Sequence, residues 1–240
     1  MARAAASSSS VDIVSYALDS SEKYDENRPI YVDAESPENH LTAAQTRILT
    51  RKLVAGLIKH AGVRPGDRVI VHLPSVYFFS SIIFAIIGSQ GVYTASNPAY
   101  KEFELKHILE VAQPAVLITS NDLLPVVSAA VREKNIDSSC IYVLDTAAFE
   151  VGSYLGSVTT ESASVKNGTS SSHEPQRFEK LLECGETGWH RTTSTEALRE
   201  THAAMFSTSG TTGMESNVLP SSTSLTKQVF LNWRYSHTHL

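Results

Sequence analysis

The chain reads as an α/β protein: a mostly parallel sheet with helices on both faces. Short β-branched runs alternate with helical apolar periodicities from about Ile30 to Leu144, and Gly and Pro punctuate the boundaries between them. Repeated strand-then-helix order calls for parallel strands, because only parallel pairing needs a crossover of helical length. Hydrophobic residues are 42% of the 240, enough for a sizeable core and too many for a disordered chain.

Residues 1–29 read as a poorly ordered N-terminal segment. Met1 to Ser10 is small and polar, without the apolar stretch of a secretory leader, and Asp12 follows at once, so a frayed terminus is favoured over a transit peptide. Ile30 to Asp33 is a short strand run. Thr42 and Gln45 have capping-box spacing and predict a helix start, with Leu49, Leu53, Val54, Leu57 and Ile58 forming one apolar face over Arg47, Arg51, Lys52 and Lys59. Gly62 is placed to close that helix.

Arg64-Pro65-Gly66-Asp67 reads as a turn, followed by a buried strand from Arg68 to Leu73. Pro74-Ser75 opens a second helix, Val76 to Ser89, ended by Gly91, and Val92 to Ala95 is the next strand. Phe103, Leu105, Ile108 and Leu109 mark a helix over Glu102 to Val111. Gln113-Pro114 stops it ahead of the strand Ala115 to Thr119. A helix from Leu123 to Glu133 precedes the strand Ile141 to Leu144. From Val151 to Arg177 the period lapses, ten of 27 residues being Ser or Thr, which predicts an exposed loop. Its Asn167-Gly-Thr169 sequon is a chance match without a secretory signal. Order resumes at Phe178 to Leu182.

A net charge of −5 removes the electrostatic footprint of a nucleic-acid binder. Cys140 and Cys184 form neither a disulfide framework nor a CxxC pair, and read as buried small hydrophobes in a reducing compartment. The apolar stretch Val76 to Val92 is broken by Ser80, Ser81, Gly88, Ser89, Gln90 and Gly91, so no membrane span is expected. His40, His60, His72, His107, His173, His190 and His202 are scattered, and no metal site is expected. The carboxylates Glu102 and Glu104, or Glu133 and Asp137, fall on solvated helix or loop surface.

One segment carries a chemical signature. The apolar run Ala203 to Phe206 leads into Ser207 and then Thr208, Ser209, Gly210, Thr211, Thr212 and Gly213. Glycines let a backbone turn tightly and approach an anion, while exposed N–H groups and hydroxyls supply donors around phosphate oxygens. Composition alone fits a flexible loop as well as a phosphate cradle. The spacing is not that of a Walker A loop, since Gly210 and Gly213 lack both the four-residue interval and a following Gly-Lys.

Thr208-Ser-Gly-Thr-Thr-Gly213 resembles the signature of the adenylate-forming (AMP-binding) superfamily. Upstream, Gly62-Val-Arg-Pro-Gly-Asp-Arg-Val69, Leu73-Pro74-Ser75, Gly91-Val92 with Ser96-Asn97-Pro98-Ala99-Tyr100, and Gln113-Pro114 follow that family's order. The resemblance covers residues 30–213 and is nearer to acyl-CoA ligases of the 4-coumarate-CoA ligase type. It implies the N-terminal subdomain of an adenylate-forming enzyme, incomplete, with ATP and Mg²⁺ as cofactors and coenzyme A as co-substrate. The implied reaction activates a carboxylic acid to an acyl-adenylate and transfers it to coenzyme A. Thr208, Ser209, Gly210, Thr211, Thr212 and Gly213 would hold the β- and γ-phosphates; no catalytic residue is carried over.

After Gly213 the family continues with x-Pro-Lys-Gly-Val, whereas this chain has Met214-Glu-Ser-Asn-Val218, without the phosphate-contacting Lys and with Glu215 near the proposed phosphates. Residues 214–240 are therefore expected to be a tail departing from the family, as in a truncated or mis-spliced gene model. Residues 30–213 are then a partial AMP-binding domain. The chain's own competence as an enzyme is left open, with inactivity alone expected. The alternative is a short non-catalytic paralogue acting as an interaction or regulatory module. Cytoplasm is the default compartment, and a peroxisomal address for a full-length parent stays open.

Overall fold

Asp12 caps the first helix: its carboxylate accepts from the Ser15 N–H at 2.9 Å and from the Ser15 hydroxyl at 2.7 Å. The resulting helix α1 (Ile13–Leu18) lies inside the segment expected to be poorly ordered, packing Ile13, Val14 and Leu18 against Phe84, Ile87 and Trp189. The computed structural model describes residues 12–19, 25–155, 173–189, 194–207 and 217–218.

Strands β1 (Pro29–Val32) and β2 (His40–Thr42) form a separate antiparallel pair. Helix α2 (Ala43–Lys59) starts on the expected capping box: the Gln45 N–H donates to Thr42 Oγ1 at 3.2 Å and the Thr42 N–H to Gln45 Oε1 at 2.9 Å. There follow β3 (Arg68–His72), α3 (Phe79–Gly88), β4 (Val92–Ala95), α4 (Glu102–Ala112), β5 (Val116–Ser120), α5 (Leu124–Glu133) and β6 (Ile141–Leu144). The chain continues with α6 (Gly152–Leu155), β7 (Gln176–Arg177), a 3₁₀ turn (Phe178–Leu182), α7 (Thr195–Glu200), β8 (Ala204–Ser207) and β9 (Asn217–Val218).

The large sheet runs β7-β6-β5-β3-β4-β8-β9 and is parallel throughout except for β9. Strand alternation sorts its side chains onto two faces. Val69, Val71, Val116, Ile118, Tyr142 and Leu144 point to the α2 and α3 side, joined by Phe178 and Leu181. Ile70, Leu117, Ile141 and Met205 point to the α4 and α5 side. Right-handed crossovers require this division: α3 carries the chain one way along the sheet, whereas α4 and α5 carry it back the other way, so they lie on opposite faces.

Three boundaries depart from the sequence reading. Helix α3 begins at Phe79 rather than Val76, because Val76 to Phe78 form a turn that the Phe79 N–H closes on the Val76 carbonyl at 2.9 Å. The expected loop 151–177 has ordered ends. Val151 is buried, α6 follows it, and β7 joins the sheet beside β6. Residues 156–172 of that loop lie outside the described residues. The turn that ends α3 is at Gln90 (φ 63°), not Gly91. Gln90 and Gly91 N–H groups bond back to Ile87 and Ile86, a Schellman arrangement, and Asn135 (φ 53°) closes α5 in the same way. Gly91 is needed for space, since a Cβ there would lie 3.2 Å from the Ile86 oxygen.

The tightest backbone approach in the core is at Gly56 of α2, where a Cβ would stand 1.9 Å from the Leu181 carbonyl oxygen. Helix propensity favours Ala over Gly by about 1 kcal/mol, but overpacking against backbone costs about 1–3 kcal/mol. Gly56→Ala should therefore lower the urea midpoint at unchanged m-value; a raised midpoint would show that the contact yields freely.

His72 is the one ionisable side chain fully enclosed among the described sheet residues. Its Nδ1 hydrogen-bonds Ser96 Oγ at 2.9 Å, while Nε2 is buried without a partner. Burial pushes its pKa below the ordinary 6.5, and partial desolvation with the nearby Lys180 charge lowers that of the more exposed His60. As pH falls through 6.5 the unfolded chain takes up these protons before the folded chain does, so stability is lost below pH 6.5, down to the folded pKa values. The unfolding midpoint should drop on acidification from pH 7, and His72→Asn should flatten that drop. Parallel pH profiles for the two proteins would refute the assignment to His72.

Candidate functional site

In a parallel sheet every strand ends at the same edge, and ligands of α/β folds bind in loops outside the carboxyl ends of the strands. Here that edge collects Leu73-Pro74 after β3, Ser96 to Tyr100 after β4, Asn121 after β5, Asp145 after β6 and Ser207 at the end of β8. Two regions of the edge differ in charge, the first acidic and the second lined by uncharged turn residues.

Beyond β5, β6 and β7 lies an open cleft of about 420 Å³ lined by Asn121, Leu124, Val143, Asp145, Glu174, Arg177 and Glu179. Asp145 Oδ1 is taken up by the N–H groups of Ala147 and Ala148 at 3.2 Å, and Arg177 Nε bonds Glu179 Oε2 at 3.3 Å. Three carboxylates against one guanidinium make this cleft the wrong sign for phosphates.

At the other end, β8 pairs in parallel with β4, placing Tyr93 beside Ala204 and Thr94 beside Met205. Ala204 and Met205 bury opposite faces of this short strand, and Phe206 meets Tyr93 edge-on at 6.3 Å. Continuing the register sets Ser96 level with Ser207, the residue before Thr208. The chain returns as β9, pairing Phe206 with Val218 and Ser207 with Asn217 in antiparallel fashion. Ser207 and Asn217 are thus adjacent strand ends at the carboxyl edge. Thr208, Ser209, Gly210, Thr211, Thr212 and Gly213 themselves lie outside the described residues.

Beyond the end of β4, Ser96 to Tyr100 forms a closed turn. The Ala99 N–H donates to Asn97 Oδ1 at 2.9 Å, and the Tyr100 N–H to the Asn97 carbonyl at 3.0 Å. The Ser96 N–H reaches the Val71 carbonyl at 3.3 Å, and its hydroxyl meets His72. Read from the sequence, His72 is one of several scattered histidines and Ser96 a turn residue. Their meeting joins two strands, and no local pattern announces it. Thr94 and Thr119, on the same sheet face as His72, also have buried hydroxyls without a partner.

Both cysteines are free and partly buried, and burial raises both thiols, Cys140 to about 11, so each is held as the thiol. Among the described residues no group of His, Cys, Asp and Glu could hold a metal ion, and no helix is long and apolar enough to cross a membrane.

A family model described as AMP-binding enzyme matches residues 18–238, a span that contains the 208–213 segment and continues past Gly213. The chain is 33% identical over 207 residues to a nicotinic acid-CoA ligase of Aspergillus fumigatus, covering 85% of this chain and 36% of that protein. It is 30% identical over 231 residues to an acyl-CoA ligase of Aspergillus oryzae, covering 92% of this chain and 40% of the other. ATP-bound MatB from Rhodopseudomonas palustris shares the fold with a TM-score of 0.61 at 16% identity, over 88% of this chain and 35% of that one. A benzoate CoA ligase from Burkholderia xenovorans does so with a TM-score of 0.62 at 12% identity, over 90% of this chain and 36% of that one. The chain thus spans between a third and two fifths of the length of these proteins. The match runs through the whole described sheet and both of its helical layers, and the chain belongs to the AMP-binding enzyme family, whose relatives here are acid-CoA ligases.

Proposed function

We propose that this chain is the phosphate-holding N-terminal portion of an ATP-dependent acid-CoA ligase of the 4-coumarate-CoA ligase kind, working in the cytoplasm and inactive by itself. What supports the reading is the described strand β8, which runs parallel to β4 and ends at Ser207, the residue before Thr208, at the carboxyl edge of the sheet. The glycines and hydroxyl residues of Thr208–Gly213 are the types that wrap an anion with N–H and O–H donors.

In the complete reaction, a substrate carboxylate oxygen attacks the α-phosphorus of ATP and the bond to pyrophosphate breaks. The coenzyme A sulfur then attacks the acyl carbon, and AMP leaves. The part of this chain is to hold the β- and γ-phosphates so that the leaving group is oriented and its charge met by donors. Bound Mg²⁺ would screen the charge of the phosphates, and no group of His, Cys, Asp and Glu among the described residues could hold it. Glu215, where the family has its Pro-Lys-Gly stretch, opposes phosphate binding by like charge and leaves the chain a weak binder.

Calorimetric titration with Mg·ATP tests this. Weak binding is expected for the wild-type chain, tightened about tenfold by Glu215→Lys and lost in Gly210→Val. No heat from either the wild type or the Lys variant removes the phosphate-loop reading. ATP–pyrophosphate exchange by the 240-residue chain alone contradicts its inactivity.

A further inference from the structure

We propose that helix α1 is a strap that docks on and leaves the α2–α3 side of the molecule as one unit, and that Arg47 is the ionic latch that holds it shut. Its apolar seat is small and stands apart. Ile13, Val14 and Leu18 pack on Phe84, Ile87 and Trp189 in a cluster of their own, and of these side chains only Trp189 also packs on a core of the sheet. The polar ties run to two arginines one turn apart on α2. Arg47 Nε donates to the Leu18 carbonyl at 2.9 Å and lies 3.7 Å from the Asp19 carboxylate, while its Nη1 and Nη2 each reach Glu26 Oε1 at 3.3 Å. It therefore grips the chain on both sides of residues 20–24. Arg51 lies 3.9 Å from the Asp19 carboxylate as well, and its guanidinium sits over the Trp189 ring, 5.7 Å from the centroid. Tyr16, Asp19, Arg47 and Trp189 have further interactions of their own, so the ties of this segment gather on few side chains.

Helix α1 has 6 residues, whereas an isolated helix needs about 12–15 to persist in water. Its folding and its docking are therefore one event. Three buried apolar side chains and the Arg47 ties stand against the ordering of residues 12–19, a close balance, while the sheet is held by two much larger cores. A segment balanced in this way opens while the rest stays folded. Arg47 decides the balance because α1 has no cation in its own last turn. The Leu18 carbonyl is one that the helix cannot pair, and a guanidinium from α2 supplies both its donor and the favourable charge at that end. The Arg47 and Asp19 side chains are 19% and 16% exposed, sheltered enough to bond firmly and open enough for salt to reach. Release uncovers Phe84, Ile87 and one side of Trp189, next to an open cleft of about 390 Å³ lined by Arg51, Glu186, Thr187, Gly188 and Trp189. Helix α1 is thus a cover for the apolar wall of that cleft.

Native-state hydrogen exchange on the 240-residue chain tests the strap. The reporters are the Tyr16 and Asp19 amides, which bond the Asp12 and Ser15 carbonyls at 2.9 Å, and the reference for global unfolding is the Leu117 amide of β5. Trp189 emission, read with Trp233→Phe, reports the cover. Arg47→Met keeps the apolar stem and removes the donors and the charge. It should speed exchange at Tyr16 and Asp19 about tenfold and shift Trp189 emission to the red, with Leu117 unchanged. Raising NaCl from about 0.05 to about 0.5 M should do the same to the wild type and nothing further to Arg47→Met. Leu18→Ala, which trims the apolar seat and leaves the carbonyl, should open the strap while keeping the salt response. Exchange of Tyr16 and Asp19 in step with Leu117, in the wild type and in Arg47→Met, means that α1 leaves only when the whole chain unfolds and overturns the strap. Equal acceleration at Leu117 in Arg47→Met assigns Arg47 to global stability and overturns the latch. A salt response that survives in Arg47→Met, or is missing from the wild type, overturns the latch as well.

Discussion

The candidate site exists only because β8 lies beside β4. That pairing joins two short strands far apart in sequence, with most of the crossover layers folded between them. The long excursion is not the main obstacle, since closing a loop costs only about 0.6 kcal/mol more for each doubling of its length. The obstacle is the size of β8, four residues that must be held by what they bury. Ala204 and Met205 enter opposite hydrophobic layers at 2% and 3% exposure, and a buried Met contributes about 1.5–3 kcal/mol. The two layers must therefore be in place before the strand has anything to dock on. The return strand β9, which pairs only with β8, inherits its position from that docking.

The sheet concentrates its unsatisfied polar groups at the same edge. His72 Nε2, the Thr94, Thr119 and Ser120 hydroxyls, all at the upper ends of β3, β4 and β5, are buried without partners. Each such group costs about 1–3 kcal/mol relative to a paired one. The lower ends of the same strands carry Val69, Val92 and Val116 instead. A sheet built for stability alone would continue the valines upward, and departures of this sort fall where a fold gives up stability for a site.

Where one residue type does one local job, the sequence was sufficient. Thr42 and Gln45 announced their helix start, Val92 to Ala95 and Ile141 to Leu144 were readable to the residue, and the strand-helix order foretold a parallel sheet covered on two faces. Strands β7 and β9, each of two residues, are too short to show any period, and their existence depends on a neighbour's open edge. Helix α1 is a single apolar turn and a half whose stability comes from Phe84, Ile87 and Trp189, remote in the chain. The His72–Ser96 bond spans 24 residues and two strands, so neither residue betrays it locally. Thr208 to Gly213 lie outside the described residues, and the phosphate-loop reading rests on their order in the sequence.

The exits of α3, α4 and α5 have a consequence for the chain before it folds. Gln90, Gln113 and Asn135 take the left-handed conformation that glycine adopts freely, at φ of 63°, 45° and 53°. For residues with a Cβ this strains the native state by roughly 1 kcal/mol each. Glycine would relieve the strain, yet it would also enlarge the set of conformations available to the unfolded polypeptide, which folding must then give up. Glutamine and asparagine keep that ensemble narrower. The three turns thus exchange native comfort for a less disordered starting point, and the stability of the crossovers is set in part by a state in which none of them exists.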